Sequence, residues 1–307
     1  MKKILCTCPP MIAAIDRYLD EFKKRDSDVF CPEFQQEMPE DELIKLIPKY
    51  DGWIIGDCPA SDQVLSTGKA GSLKAAVRWG IGTNNVDFIA AKRLGYTIHN
   101  TPGVFNEEVS DVALGYAIGL VRDLFTIDRG VKNGQWPKPA GRSFSKLHVG
   151  VVGYGNIGKA TCRKFSGLGC KVSFSDPFFS GKAEVGHHQT DWPEIMTDID
   201  ILVITCALTD SNYHMLSTAE LKLAKQGLQI VNVARGPLID ESALIHSLET
   251  GKVVKAALDV FEDEPLAMDN PLRKYEEVIF GSHNGSNTID AVDRTSMQAI
   301  ELLFREL

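Results

Sequence analysis

Arg235, Glu264 and His283 are the side chains from which a reaction can be assembled in this chain. A histidine titrates nearest neutral pH and exchanges a proton readily with a hydroxyl or an alkoxide. A glutamate beside it orients the ring and stabilises its charged form. An arginine grips a carboxylate through two parallel hydrogen bonds and polarises a neighbouring carbonyl. Scattered residues of these types are usually solvated surface groups. Position singles these out. The apolar runs at 229–233, 255–258 and 278–280 have the composition of parallel strands buried on both faces. Arg235 follows the first, Asp259 and then Glu264 the second, and His283 the third. In an open α/β sheet, loops beyond the carboxyl ends of the strands share one crevice, so these residues meet there.

Proton exchange at a carbon bearing oxygen is half of a redox step, and residues 147–176 supply the other half. The run at 148–152 is apolar without alternation, and Gly153, Gly155 and Gly158 follow as G-x-G-x-x-G. The first glycine permits a tight turn, the second lets the backbone approach a pyrophosphate, and the third lets the next helix sit close to the sheet. That helix is expected over 156–168, with its unpaired N–H groups aimed at phosphates. A second strand at 171–175 ends at Asp176, where a carboxylate accepts from the adenosine ribose hydroxyls. The same carboxylate repels a 2′-phosphate, and Pro177-Phe178-Phe179 offers no arginine to offset that. The unit predicts NAD(H) as cofactor. Together with Arg235, Glu264 and His283 it predicts hydride transfer between a nicotinamide and a secondary alcohol.

These residues need a scaffold, and the rest of the chain reads as one. Before the dinucleotide unit, strands are expected at 4–8, 52–55, 73–79 and 96–99. Helices are expected from Met11, Ile12, Ile15, Tyr18, Leu19 and Phe22, after Pro39, and over 87–94. Asn100-Thr101-Pro102-Gly103 is a breaker cluster and a candidate hinge. A long helical pattern at 105–133 follows, either an interdomain and dimer-contact helix or an ordinary buried one. A strand at 201–205 ends at Cys206, and an amphipathic helix at 288–307 returns to the first domain. The fold class is α/β, two Rossmann-like domains with doubly wound parallel sheets. The dinucleotide domain, residues 102–283, is inserted in a domain made of 1–101 and 284–307.

Composition bounds the partners. A chain of 307 residues, 44% hydrophobic, buries a large core, and a net charge of −8 carries no footprint for nucleic acid or an anionic membrane. Cys6, Cys8, Cys31, Cys58, Cys162, Cys170 and Cys206 are scattered and odd in number, as reduced thiols of a cytoplasmic protein are, without metal-ligand spacing. The amino-terminal apolar run is too short for a signal peptide, and no run reaches the length of a membrane span. His187, His188 and Trp136 receive no role from the sequence.

VGYGNIG with Asp176, VNVARGPLID, DVFEDEP, GSHNGSNT, RWGIGTNNVD and TPGVFNEEVSD resemble the D-2-hydroxyacid dehydrogenase family across essentially the whole chain. The branch is that of phosphoglycerate dehydrogenases and glyoxylate or hydroxypyruvate reductases. The resemblance implies a small 2-hydroxy or 2-oxo acid substrate, a homodimer, and a substrate domain ahead of the NAD domain. It places Arg235 at the substrate and Glu264 with His283 as the acid–base pair. Asn156, Ile157, Cys206, Val233, Ala234, Asp259, Asn284 and Gly285 would line the cofactor, and the backbone amides of Ile81 and Gly82 would hold the substrate carboxylate. Two departures matter. Asp57, in Ile54-Ile55-Gly56-Asp57-Cys58, stands where phosphoglycerate enzymes carry an arginine-rich turn, which favours a glyoxylate or hydroxypyruvate type over 3-phosphoglycerate. Asp111 replaces a glutamate. The chain stops near Leu307, so no appended regulatory domain is expected. An NAD(H)-sensing corepressor-like protein is the alternative of another class.

Overall fold

The computed structural model describes residues 1–34 and 36–307. They form two compact units, Met1–Phe105 with Asn287–Leu307, and Asn106–Ser286. The fold is α/β, each unit being built on a parallel sheet.

In the first unit, β1 (Lys2–Thr7), β2 (Ser27–Phe30), β3 (Gly52–Ile55), β4 (Ala75–Arg78) and β5 (Ile98–Asn100) lie in the order β2-β1-β3-β4-β5. All pairs are parallel. Chain order reverses between β1 and β3, so the loops leaving β1, β3 and β4 open on a switch-point crevice. Leu5, Trp53, Ile55, Val64, Leu65 and Ala76 pack one core beside this sheet. The indole of Trp53 is fully buried and its N–H donates to Thr7 Oγ1 at 2.9 Å, so no polar atom is stranded. The carboxyl-terminal helix Ile289–Glu306 buries Ala291, Ala299, Ile300 and Leu303, with the Thr288 hydroxyl capping Ala291 N.

Two expectations in this unit are corrected. The single helix expected from Met11 to Phe22 is three short pieces, Pro9–Ala13, Ile15–Arg17 and Leu19–Lys23, with Ala14 leaving helical geometry at φ near −115°. Their inward residues Met11, Tyr18 and Phe22 are still buried, so the apolar spacing marks a face without guaranteeing one continuous helix. Residues 56–72 received no element, yet Asp62–Ala70 is helical. Ser61 accepts from Val64 N and supplies its cap.

In the second unit, β6 (His148–Val152), β7 (Lys171–Ser175), β8 (His187–Gln189), β9 (Ile201–Ile204), β10 (Leu228–Asn232), β11 (Val253–Leu258) and β12 (Val278–Phe280) take the order β12-β11-β10-β9-β6-β7-β8. The reversal falls between β6 and β9, which puts the glycine loop at the switch point. Val149, Val151, Phe174, Val203 and Val231 are fully buried, the expected signature of strands covered on both faces.

Here the helix expected at 105–133 is two, Asn106–Val121 and Leu124–Lys132. The break is tertiary in origin. Asp123 sits in the left-handed region at φ 55°, its carboxylate accepting from Lys255 Nζ at 2.6 Å, and the same ammonium takes the Leu120 carbonyl at 2.9 Å. Edge strand β8 was not foreseen. Its His187 is buried, bonded through Nδ1 to the Tyr154 hydroxyl at 2.7 Å, and burial lowers its proton affinity, so it closes the sheet edge as a neutral ring. All seven cysteines are free thiols, and Cys6, Cys8, Cys58, Cys162 and Cys170 are buried.

Candidate active site

The glycine loop after β6 has one mechanical reason per glycine. Gly153 adopts φ 91°, and a Cβ there would meet the backbone of Cys206 at 2.7 Å. At Gly158 a Cβ would lie 1.9 Å from the Gly153 carbonyl oxygen, so only glycine lets the helix Asn156–Gly167 start this close to β6. Gly155 differs: nothing lies within 4 Å of where its Cβ would be. Its side of the loop is open, and Gly155 caps the helix without a side-chain acceptor for the first-turn amides. Those amides, at the positive end of the helix, are the donors a pyrophosphate requires. Beyond β7, Asp176 is held by its own loop. Oδ2 accepts from Tyr154 N at 2.7 Å and Oδ1 from Phe178 N at 2.9 Å. Each carboxylate oxygen accepts more than one hydrogen bond, so a fixed Asp176 retains capacity for ribose hydroxyls. The glycine cradle and this oriented acid fit a dinucleotide. Cys206, beyond β9, bonds Met215 Sδ at 3.8 Å; burial, with the Asp176 charge adding, pushes its thiol up to about 12, so it meets a ligand as a neutral group.

Along the same rim, the strands ordered β12-β11-β10 deliver the remaining residues. The turn after β10 is braced by buried Asn232, whose side chain accepts from Ala234 N at 3.0 Å and donates to the Arg235 carbonyl at 2.9 Å. Val233 and Ala234 are buried, and Arg235 Nη1 reaches back to the Ala234 carbonyl at 2.7 Å. After β11, Asp259 is almost wholly buried. Its carboxylate accepts from Tyr116 Oη at 3.0 Å and Gly285 N at 2.8 Å, and its carbonyl from His283 N at 2.7 Å. Burial and then the Asp259 charge hold the Tyr116 phenol well above its usual range. Asp259 therefore fixes residues 283–285, and His283 is presented from a left-handed backbone at φ 54°. His283 Nδ1 lies 2.7 Å from Glu264 Oε2, while Glu264 Oε1 accepts from Phe261 N at 3.0 Å. Both side chains are about three-quarters buried, at 24% and 21% exposure, enough to strengthen their attraction without sealing the ring from a ligand.

The Arg235 and Glu264 loops are clamped together by residues that sequence reasoning missed. A Cβ on Gly236 would lie 1.8 Å from the Phe261 carbonyl carbon, so the two backbones are in direct contact. Glu241 N donates to Glu262 Oε1 at 3.0 Å, and Glu262 N donates to Glu241 Oε1 at 2.8 Å. His214 Nε2 approaches Glu262 Oε1 at 2.9 Å. Asp240 lies in the same cluster, but caps the next helix at Ala243 N. The carboxylates thus serve backbone amides, and the cluster is a clasp between loops. A polar Asn inside an apolar strand, and an Asp-Glu pair opening a helix, were the available signals.

In the other unit, Ile81 and Gly82 follow β4 in a tightly tied turn. Gly80 N donates to Thr101 Oγ1 at 2.7 Å, and Asn100 Nδ2 to the Ile81 carbonyl at 2.9 Å. Arg78 is buried beneath it. Its guanidinium donates to Asp57 Oδ1 at 2.8 Å, to Asn85 Oδ1 at 3.1 Å and to the Trp79 carbonyl. Asn85 Nδ2 in turn spans the Gly56 and Cys58 carbonyls, and Gln36 Nε2 holds Asp57 Oδ2 at 3.0 Å.

Residues 114–285 match the family model described as D-isomer specific 2-hydroxyacid dehydrogenase, NAD binding domain. The chain is 31% identical over 277 residues to a hydroxypyruvate reductase of Thermotoga maritima, covering 89% of this chain and 90% of that one. It is 30% identical to a glyoxylate reductase of Thermofilum pendens, covering 87% and 81%. The apo structure of D-lactate dehydrogenase from Escherichia coli superposes with a TM-score of 0.84 at 27% identity, over 99% of this chain and 96% of that one. No described helix is long and apolar enough to cross a membrane.

Proposed function

We propose that this chain, which belongs to the D-isomer specific 2-hydroxyacid dehydrogenase family, reduces a small 2-oxo acid of the glyoxylate or hydroxypyruvate type to the D-2-hydroxy acid, and runs the reverse reaction. Membership makes it an NAD-dependent oxidoreductase acting on CH–OH donors. The observation that carries the reading is the 2.7 Å contact between His283 Nδ1 and Glu264. With Nδ1–H committed to a carboxylate, the proton passed to the C2 oxygen during reduction comes from Nε2, and Glu264 stabilises the ring in its charged state. Arg235 pairs with the substrate carboxylate and polarises the C2 carbonyl. Bound NADH supplies the hydride.

Gly153, Gly155, Asn156, Ile157 and Gly158 hold the pyrophosphate, and Asp176 the adenosine ribose. Cys206, Val233, Ala234, Asp259, Asn284 and Gly285 surround the remainder of the cofactor, Asp259 acting through the loop it fixes. We assign the unit Met1–Phe105 with Asn287–Leu307, which carries the Ile81–Gly82 turn, to the substrate, and the unit Asn106–Ser286, which carries the glycine cradle, to NAD, close to the expected division into 1–101 with 284–307 and 102–283. The preference for an unphosphorylated substrate rests on Arg78, a buried guanidinium already paired with Asp57. We place the protein in the cytoplasm as a homodimer, which a solution mass of twice 33.8 kDa would support.

The test is NADH turnover against glyoxylate, hydroxypyruvate, pyruvate and 3-phosphohydroxypyruvate. Glyoxylate or hydroxypyruvate should give the highest kcat/KM. Preference for the phosphorylated acid would reverse the substrate assignment, and NADH binding without turnover of any of them would point to a sensor.

A further inference from the structure

We propose that Cys6 and Cys31 form a thiol pair that a small hydroperoxide converts reversibly into a disulfide. Strands β1 and β2 are parallel, in register from Lys2 opposite Ser27 to Leu5 opposite Phe30. Carried one residue past the end of β2, the same register brings the backbone of Cys6 beside that of Cys31. Neighbouring strands lie about 4.8 Å apart, inside the Cα separation of roughly 4.4–6.8 Å that a disulfide spans. Each thiol is the largest influence on the other's proton, which is held more firmly on Cys6 and less firmly on Cys31.

The two sulfurs differ in access, and the difference assigns their roles. Cys31 is half-buried and open to a small reagent, while Cys6 is fully buried. The Cys31 thiolate attacks one peroxide oxygen: an S–O bond forms, the O–O bond breaks, and hydroxide leaves, leaving a sulfenic acid. Cys6 then attacks the Cys31 sulfur, its proton leaving with the sulfenic oxygen as water while the S–S bond forms. In sum, two thiols and one hydrogen peroxide give a disulfide and two waters; an organic hydroperoxide gives its alcohol and one water. Each sulfur is oxidised by one electron, and the peroxide is reduced by two. An external thiol restores the pair by exchange. The cross-link lies at the start of the segment leading to Gln36, which holds Asp57, and to Met38, whose N–H donates to Cys58 Sγ at 3.2 Å. Oxidation would therefore be sited two short steps from the Asp57–Arg78 pair.

The experiment treats the reduced, native full chain with stoichiometric hydrogen peroxide. Remaining thiols are alkylated, and peptides are mapped by mass spectrometry without reduction. The expected product links Cys6 to Cys31, is 2 Da lighter than the reduced pair, and returns to free thiols with dithiothreitol. Cys6→Ser should stop at a Cys31 sulfenic acid that dimedone traps. Cys31→Ser should slow oxidation of Cys6 at least about tenfold, because a buried thiol without an exposed partner reacts poorly. Linkage of Cys8 to Cys58, or Cys31 passing to sulfinic acid while Cys6 stays a thiol, would overturn the proposal. The wild-type peptide map decides this even if a variant fails to fold.

Discussion

At the scale of single residues, the site turns on proton and charge placement. His283→Ala removes the acid–base group and should lower kcat by about 10² to 10⁴ while NADH affinity holds, read by steady-state kinetics beside fluorescence titration. Near-wild-type turnover would end that assignment. Glu264→Gln keeps a hydrogen-bond acceptor and loses the charge that favours the protonated ring. Because reduction uses that proton, the alkaline fall of the rate should move to lower pH; an unmoved profile would mean that the 2.7 Å contact does not couple the two groups. Asp176 governs cofactor choice. Two like unit charges about 4 Å apart repel by roughly 1 kcal/mol in water and roughly 4 kcal/mol at an effective dielectric of 20, so NADPH should be disfavoured. Asp176→Ala should weaken NADH and narrow the NADH/NADPH ratio of kcat/KM, with one complication the sequence alone could not disclose. Tyr154 N and Phe178 N lose their acceptor as well, so part of the loss is loop order. Asp176→Asn, which retains an acceptor oxygen, separates charge from support.

At the scale of elements, the clasp between the Arg235 and Glu264 loops has its own test. Glu262→Ala deprives Glu241 N of its acceptor, and lost hydrogen bonds to charged groups are worth about 1.5–3 kcal/mol. Stability should fall by that order, and KM for the 2-oxo acid should rise as Arg235 loses its fixed position. Glu262→Gln, which can still accept from the amide, should recover most of both. If Ala and Gln behave alike in denaturant melts and in KM, the clasp does not position the site. The same clasp marks where legibility in the sequence ended. Strands β6 and β12 were visible as short apolar runs, and β7, β10 and β11 as runs rich in Val, Ile, Leu, Ala and Phe, and the residues closing them could be named. Asn232, Glu241 and Glu262 act through backbone amides, which leaves no spacing to recognise. The helix Asp62–Ala70 buries only Val64, Leu65 and Gly68, too short a stripe to announce itself. The break at Asp123 depends on Lys255, a partner far along the chain that no local pattern encodes.

At the scale of the whole molecule, the two units have separate sheets and separate cores, one with Trp53 and Leu5, the other with Leu202 and Ile230. NADH binds the native state and not the unfolded chain, so it stabilises by mass action, by about 2.7 kcal/mol when free NADH is 100 times its Kd. Because the glycine cradle and Asp176 belong wholly to the unit Asn106–Ser286, that gain should appear first in its amides. Hydrogen exchange should slow at 153–158, at 232–235 and in β6, with β1 and β3 changing far less. Mass action supplies an internal control, since the gain depends only on the ratio of free ligand to Kd. Asp176→Ala should therefore reach the same stabilisation as wild type at an equal multiple of its own, weaker Kd, and fall short at equal NADH concentration. A variant whose gain is still short at matched saturation would mean that NADH does not act by simple binding to the native state alone. Equal protection of β1 and β3 in the wild type would mean that NADH stabilises the chain as one cooperative body.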